Sequence, residues 1–381
     1  MVTIVAGGRL VTPEGVVRAD LTIADGRVAA IEPSRPRRIA DTVIDVDDQL
    51  IAPGLIDIQI NGGFGLDFTN DPETIWEVGA RLPRYGVTAF LPTVITSPAA
   101  TVVEAQHVMT AGPPADYTGA VPIGLHLEGP MLSPKQPGTH DTLYLREPEA
   151  VAHDTWSPDT GVRMVTLAPE LPGALHVIEA LAENGVVVSI GHSDATYDEA
   201  VAGIRRGATV GTHLYNAMSA FRHREPGLVG ALLDETELVT EIIVDGIHSH
   251  PAAVRVAWQA KGPEHFVLIT DAMAAMGMGH GRFVISSIDV TVDEAGPRNA
   301  NGVLAGSVLT MDEAVRNLAE FTGCSPAEAI GAATANPARV IGDPTRGVLE
   351  VGARADITIL DADLNALLTL VAGKAVHDGS A

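Results

Sequence analysis

The chain has 381 residues, 46% of them hydrophobic, and this length suits a barrel of about 250 residues with a smaller appendage. Its 48 acidic residues against 24 basic ones give a net charge of −24, which argues against nucleic acid as a partner because the phosphate backbone would be repelled. No apolar stretch of about 18 residues is present, so no membrane span is predicted. The single cysteine, Cys324, and the absence of a positively charged leader predict a cytoplasmic protein without an internal disulfide.

The two ends of the chain have the same pattern of short alternating runs. Residues 20–33 alternate on both sides of Asp25-Gly26, which predicts a hairpin with a type I′ turn. Residues 355–376 alternate in the same way between Asp, Asn and Gly. Neither end has enough strands to bury a core alone, so we expect both to form one small β-sandwich. The predicted domains are residues 1–52 with 344–381, and a catalytic domain of residues 53–343.

The middle of the chain repeats a strand and then a helix. The predicted strands, short and apolar as in a buried parallel sheet, are Leu55–Asn61, Thr88–Pro92, Pro122–Glu128, Arg163–Ala168, Val186–His192, Ala208–His213, Glu241–Ile247 and Phe266–Asp271. The predicted helices are Glu73–Arg84, Ala99–Thr110, Gly173–Asn184, Tyr197–Arg206, Pro251–Ala260, Leu309–Phe321 and Pro326–Ala333. This alternation predicts an α/β fold with a (β/α)₈ TIM-type barrel. The alternative is an open doubly wound sheet, but no G-x-G-x-x-G follows a strand.

Four polar residues stand at the ends of predicted strands, where barrel enzymes place their reactive groups. Glu128 closes the third strand, His192 the fifth, His213 the sixth and Asp271 the eighth. One carboxylate and two imidazoles are a common ligand set for a catalytic Zn²⁺ or similar ion that leaves one position for water. Such an ion lowers the pKa of that water to about 7, and Asp271 is placed to take its proton and pass it to a leaving group.

Each of the four also has a structural explanation when taken alone. His192 or His213 could be a hydrogen-bonded structural residue, Glu128 could pair with an arginine, and Asp271 could cap a turn. Four such residues at four strand ends favour a shared site.

Several motifs agree in sequence and in order with one known family. They are APGLIDIQINGG at 52–63, HLEGP at 126–130, GHSDA at 191–195, THLYNAM at 212–218, REPGLVG at 224–230, DGIHSHP at 245–251, TDAM at 270–273 and LAGS at 304–307. In these motifs the chain resembles the N-acetylglucosamine-6-phosphate deacetylases of the amidohydrolase superfamily, over essentially its whole length. The resemblance implies hydrolysis of the acetyl amide of a phosphorylated amino sugar. It also implies one divalent metal ion per subunit, with Zn²⁺ expected and Fe²⁺, Co²⁺ or Mn²⁺ as alternatives, and a homodimer.

The resemblance assigns further roles residue by residue. His140 would polarise the acetyl carbonyl, and Asp271 would act as general base and then as general acid. The residues that would contact the substrate, with Arg224 and His248 at its phosphate, are Thr139, Asn216, Ala217, Arg224, His248 and Leu304.

The first barrel strand departs from the usual pattern. Many amidohydrolases have His-x-His there, whereas this chain has Gln59 and Asn61, whose amides are weaker ligands than imidazole. We therefore expect one metal ion, and we expect Asn61 to hydrogen-bond the barrel mouth.

Other interpretations remain open. The Pro- and Gly-rich segment 131–143 is either a mobile lid or an ordinary loop. The chain could be another single-metal amidohydrolase, acting on a cyclic amide or an N-acyl amino acid, although such a substrate has no need of both Arg224 and His248. It could also be a non-catalytic relative, with Gln59 and Asn61 as signs of lost activity.

Overall fold

The structure is a computed structural model and describes residues 2–12, 15–33 and 42–379. The described N-terminal part consists of short strands. They are β1 (Val2–Ala6), β2 (Arg9–Thr12), β3 (Gly15–Arg18), β4 (Asp20–Ala24), β5 (Arg27–Glu32), β6 (Thr42–Asp45) and β7 (Leu50–Pro53). Between β4 and β5, Asp25 and Gly26 have φ of 52° and 75°, the positive values at both central positions that the predicted type I′ turn requires.

The central region alternates strands with helices. Its strands are β8 (Leu55–Ile60), β9 (Gly62–Gly63), β10 (Leu66–Asp67), β11 (Val87–Ile95), β12 (Val121–Pro122), β13 (Leu125–Glu128), β14 (Val162–Leu167), β15 (Val187–Ile190), β16 (Ala208–Gly211), β17 (Val239–Ile242) and β18 (Phe266–Leu268). The helices of this region and of the segment after it are α1 (Ile75–Arg81), α2 (Ala99–Ala111), α3 (Ala174–Glu183), α4 (Tyr197–Arg205), α5 (Gly227–Asp234), α6 (Pro251–Lys261), α7 (Met311–Thr322), α8 (Pro326–Gly331) and α9 (Ala335–Val340).

The long strands of this region form a parallel barrel. Strands β8, β11, β13, β14, β15, β16, β17 and β18 are parallel neighbours in that order. The N–H of Asp271 donates to the carbonyl of Gln59 at 2.9 Å, and that of Asn61 to the carbonyl of Ala272 at 2.8 Å. These bonds join the segment after the last strand to the first strand, so the predicted α/β TIM-type barrel is confirmed, nearly closed.

Two details of the barrel differ from the prediction. Helix α5 was not predicted, because its eight residues carry too short a pattern to show helical periodicity. The seventh strand is Val239–Ile242, so the predicted end at Ile247 is wrong. There the Asp245 side chain accepts the backbone N–H groups of residues 247 and 248, both at 2.8 Å, and this local turn replaces the ladder.

An antiparallel sheet that the sequence did not reveal follows the eighth barrel strand. It comprises β19 (Gly281–Ile285), β20 (Ile288–Asp293) and β21 (Gly296–Asn299). Its apolar side, including Ile285 and Val290, packs on Ile95 and Met273. The sheet therefore lies at the barrel mouth, next to the ends of the second and eighth strands.

Strands from both chain ends meet in one sheet. The last three strands are β22 (Ile357–Leu360), β23 (Ala366–Val371) and β24 (Lys374–Asp378). The order β24-β23-β22-β7-β2-β3 pairs them with the N-terminal strands, and β5-β4-β1-β6 forms a second sheet. The domain boundaries at residues 52 and 344 stay a prediction.

Within the described residues, no helix combines the length and the apolar character needed to cross a bilayer.

Candidate metal centre

The carboxyl ends of the barrel strands bring the predicted metal ligands together. Glu128 Oε1 lies 3.1 Å from His192 Nε2 and 3.0 Å from His213 Nε2, and the two Nε2 atoms lie 3.0 Å apart. All three side chains are buried. Gly191 permits this approach, because a Cβ there would lie 2.0 Å from Cγ2 of Thr212, the residue that follows β16. Three ligand atoms thus point at one another from three strands.

This arrangement fits a bound divalent ion. Ligands of a tetrahedral ion at about 2.0–2.2 Å are separated by about 3.3–3.6 Å, close to the observed triangle. His192 Nδ1 lies 3.0 Å from the carbonyl of Gln136, so Nδ1 donates and Nε2 keeps its lone pair for an ion. Metal-binding atoms of Glu128, His140 and His192 also lie within 4.8 Å of one another, so His140 borders the same point.

The pKa values of the three predicted ligands are strongly shifted in the absence of an ion. Burial would raise the pKa of Glu128, but hydrogen bonds with His140, His192 and His213 hold that pKa well below its ordinary value. Burial would lower the pKa of His213, but its hydrogen bond to Glu128 raises it to about 9. Burial lowers the pKa of His192 to about 4. A divalent ion would displace the proton that His213 shares with Glu128.

His140 faces the same point with a defined tautomer. The backbone N–H of Thr96 donates to His140 Nδ1 at 3.3 Å, and the Thr96 hydroxyl lies 2.9 Å from the same atom. A backbone N–H can only donate, so Nδ1 accepts and the proton resides on Nε2. That nitrogen lies 3.6 Å from Glu128 Oε2. His140 therefore presents a hydrogen-bond donor beside the metal centre.

Asp271 and the two amides of the first strand form the other side of the mouth. Asn61 Nδ2 donates to Asp271 Oδ1 at 2.7 Å. Gln59 Nε2 donates to Glu128 Oε1 at 3.1 Å, and its Oε1 accepts the Thr212 hydroxyl at 2.6 Å, which fixes the orientation of the amide. Burial and the nearby Glu128 raise the pKa of Asp271 to about 6. The amides thus donate hydrogen bonds to both carboxylates, and Asn61 bonds the mouth as expected.

Two further carboxyl groups are buried in the barrel. Asp57 accepts the Thr270 hydroxyl at 2.5 Å, and burial raises the pKa of Asp57 to about 7. Glu241 is fully buried, and burial raises its pKa to about 8. Sequence reasoning singled out neither, since a carboxylate inside a strand carries no signal of the direction it faces.

A cavity of about 500 Å³ opens above these groups. It contains most of the predicted site residues. Those lining it are Asn61, Glu128, Thr139, His140, His192, His213, Asn216, Ala217, His248, Asp271 and Leu304. Gln59 lies beneath it, fully buried.

Arg224 lies elsewhere. It is exposed and lines a neighbouring cavity with Phe221 and Gln136 rather than the cavity above the metal centre. Arg298, which the sequence did not indicate, lines the cavity above the metal centre instead. It belongs to β21, a strand that was not predicted. Thr96, which orients His140, was also missed because it follows a strand without any distinguishing motif.

Known proteins match nearly the whole chain. The profile of the Amidohydrolase family matches residues 50–377. N-acetylglucosamine-6-phosphate deacetylase of Mus musculus is 41% identical, covering 95% of this chain and 92% of its own, and N-acetylgalactosamine-6-phosphate deacetylase of Escherichia coli O157:H7 is 40% identical, covering 96% and 97%.

Solved structures agree. The N-acetylglucosamine-6-phosphate deacetylase of Pasteurella multocida is 33% identical with a TM-score of 0.92, covering 98% of this chain and 99% of its own. A mutant of the Mycobacterium smegmatis enzyme, in complex with N-acetyl-D-glucosamine-6-phosphate, is 35% identical with a TM-score of 0.88, covering 99% of each chain. The chain belongs to the amidohydrolase family, and within it to the N-acetylglucosamine-6-phosphate deacetylases.

Proposed function

We propose that this chain hydrolyses the N-acetyl amide of N-acetylglucosamine 6-phosphate to glucosamine 6-phosphate and acetate. The observation that carries the proposal is the convergence of Glu128, His192 and His213 opposite Asp271, within a family of deacetylases. A non-catalytic relative would have no reason to keep both the ligand atoms and a buried carboxylate beside them.

Glu128, His192 and His213 would hold one divalent ion. An ion held there would supply a Lewis acid for the amide carbonyl and lower the pKa of a water molecule to about 7. The two-nitrogen, one-oxygen donor set suits Zn²⁺, and Fe²⁺, Co²⁺ and Mn²⁺ are the alternatives.

Asp271 would move the proton. Its Oδ1 accepts the Asn61 amide, which leaves Oδ2 to accept a proton from the attacking water. With its pKa raised to about 6, Asp271 is ionised at neutral pH yet basic enough to hold that proton and return it to the departing amine.

His140 would bind the acetyl carbonyl oxygen. The Nε2–H group fixed by Thr96 becomes a donor to the oxygen as negative charge develops on it. Thr139 and Leu304 line the same cavity and would contact the sugar.

Asn216, Ala217 and His248 would bind the phosphate. His248 is oriented by Asp245, whose Oδ2 lies 2.7 Å from its Nδ1, so Nε2 is left for a ligand. The contact of Arg224 with the phosphate, within one chain or across the predicted homodimer, stays a prediction, as does a cytoplasmic location.

N-acetylgalactosamine 6-phosphate is a second candidate substrate. It differs from the first only in configuration at C4, and the Escherichia coli relative named for it is 40% identical to this chain.

Acetate release from both phosphorylated sugars and from unphosphorylated N-acetylglucosamine tests the proposal, with metal content measured on the same sample. We expect release from a phosphorylated sugar at about one metal ion per chain. No release from any of the sugars by metal-loaded protein would contradict the deacetylase proposal. Faster release from the galactosamine derivative would select the second candidate.

A further inference from the structure

Strand β21 places a guanidinium on the wall of the cavity above the metal centre. Arg298 pairs with Leu304 in an antiparallel bridge, and both residues line the cavity. The Arg298 Nη1 donates to the carbonyl of Gly302 at 2.9 Å. That bond anchors the side chain at its charged end while using one of its N–H donors.

The same face of β21 contacts the loop that carries His248. Gly296 lies two residues before Arg298, so the two share one face of the strand. A Cβ on Gly296 would lie 3.2 Å from Ile247 Cγ2 and 3.6 Å from Leu304 Cδ2. Ile247 immediately precedes His248, so β21 packs beside the segment that carries His248, and Arg298 and His248 both line the cavity.

The charges around the cavity leave Arg298 available for an anion. Lys135, which also lines the cavity, is ion-paired with Asp194 at 2.9 Å. Arg298 has no carboxylate partner among the described residues, and no other guanidinium of the described chain lines this cavity. The protein has a net charge of −24, so most of its surface repels anions. An arginine without a carboxylate partner beside the cavity therefore provides a local site that attracts an anion.

We propose that Arg298 binds the phosphate of the substrate from within the same chain and sets the preference for phosphorylated over unphosphorylated sugars. The inference rests on the proposed function, and it adds a contact outside the motifs that carry the family resemblance. Arginine suits the task, since its planar fork of N–H groups matches phosphate oxygens.

The test compares Arg298→Gln with the wild type and with Arg282→Gln. Arg282 is an exposed arginine of the same sheet and does not line the cavity. We expect Arg298→Gln to lower kcat/KM for the phosphorylated sugar by about 10-fold to 100-fold, mainly through KM, because one charge-assisted contact is lost. Activity on unphosphorylated N-acetylglucosamine should be unchanged, Arg282→Gln should match the wild type, and Arg298→Lys should recover part of the loss.

Equal losses on phosphorylated and unphosphorylated sugars, or no loss on either, would overturn the inference. A binding measurement separates it from the proposed function. Calorimetric titration of metal-loaded wild type and Arg298→Gln with glucosamine 6-phosphate and with glucosamine requires no turnover. If the wild type releases no acetate but binds the phosphorylated amine more tightly than Arg298→Gln does, the proposed reaction fails and the Arg298 site stands.

Discussion

The barrel mouth differs from the terminal sandwich in how buried polar groups are satisfied. The terminal sandwich is the pair of sheets from the two chain ends, which share a core that includes Val5, Leu21, Ile51 and Ile357. In the sandwich, Asp356 is saturated: it accepts from Arg346, from Arg354 at 3.0 Å and from the N–H of Ala372 at 2.7 Å. In the mouth, His213 Nδ1 and Asn61 Oδ1 are buried and have no partner among the described residues. Unsatisfied buried polar atoms reduce stability, and these two lie beside the residues that would hold the ion.

The backbone at the mouth also has uncommon conformations. At the mouth, His192, His213 and Asp271 have φ of 46°, 25° and 49°, values that non-glycine residues rarely adopt. In the sandwich hairpin, positive φ falls on Asp25 and Gly26, residue types that tolerate it. Positive φ also occurs at Leu364 and Ala372, between the terminal strands, so what distinguishes the mouth is that its positive-φ residues carry the converging side chains. Substitutions at the mouth should change chemistry, and substitutions in the sandwich should change stability.

The largest effect is expected for Asp271→Asn. The amide cannot accept a proton, so kcat should fall by about 10²-fold to 10⁴-fold while metal content stays at the wild-type level. Steady-state kinetics with metal analysis checks this, with Asp289→Asn, an exposed position on β20, as the control. Near-normal turnover of Asp271→Asn would remove the proton-transfer role.

Asp356→Ala should have the next largest effect, on stability alone. It leaves the buried Arg346 without its principal partner, which should lower the free energy of unfolding by about 3–5 kcal/mol. Denaturant unfolding measures this, with the exposed Asp363→Ala as the matched control. The folded fraction should keep its kcat; a fall in kcat would show that the two regions are coupled.

The pH dependence of kcat/KM should report Asp271. Its pKa is raised to about 6, so the base is ionised above that pH and becomes protonated as pH falls through it. A bound cation would move this pKa downward. The value of kcat/KM should therefore fall about tenfold for each pH unit below the pKa of Asp271, which lies at or below about 6. If the residual activity of Asp271→Asn showed the same decline at low pH, the decline would have to be assigned to another titrating group.

Gln59→Leu tests the amide side of the mouth. It removes the hydrogen bond to Glu128 and leaves the Thr212 hydroxyl without its acceptor. Because groups that orient a ligand support metal affinity, that affinity should fall by about 10-fold to 100-fold. Competition with a chelator measures the affinity. Gln106→Leu provides the comparison, because the Gln106 side chain donates to the carbonyl of Thr160, away from the metal centre. An unchanged metal affinity would show that Gln59 does not orient Glu128 for metal binding and only fills space.

The smallest effect is expected for Gly26→Ala in the sandwich hairpin. Gly26 has φ of 75°, and a Cβ there would lie 3.2 Å from the carbonyl oxygen of Ala372. The strain should cost about 1 kcal/mol, seen as a lower Tm. Activity at a temperature well below the transition should not change. Gly302→Ala, also at positive φ but with no atom within 4 Å of its Cβ, separates backbone strain from steric contact.

The sequence by itself determined the barrel, the type I′ hairpin and the residues that converge on the metal centre. It could do so because strand periodicity is local and because parallel strands of a barrel end at one face, so polar residues at strand ends must meet. The family motifs added Thr139, His140, His248 and Leu304 to the same cavity.

Only the tertiary structure decided which cations border the cavity. The sequence indicated Arg224 and not Arg298, yet Arg224 lies outside the cavity and Arg298 lines it. The position of Arg224 depends on the conformation of the loop before α5, and that of Arg298 on the small sheet β19–β21 at the mouth. Both are determined by contacts between segments that are distant in sequence. The orientation of Gln59 by Thr212, 153 residues away, has the same origin.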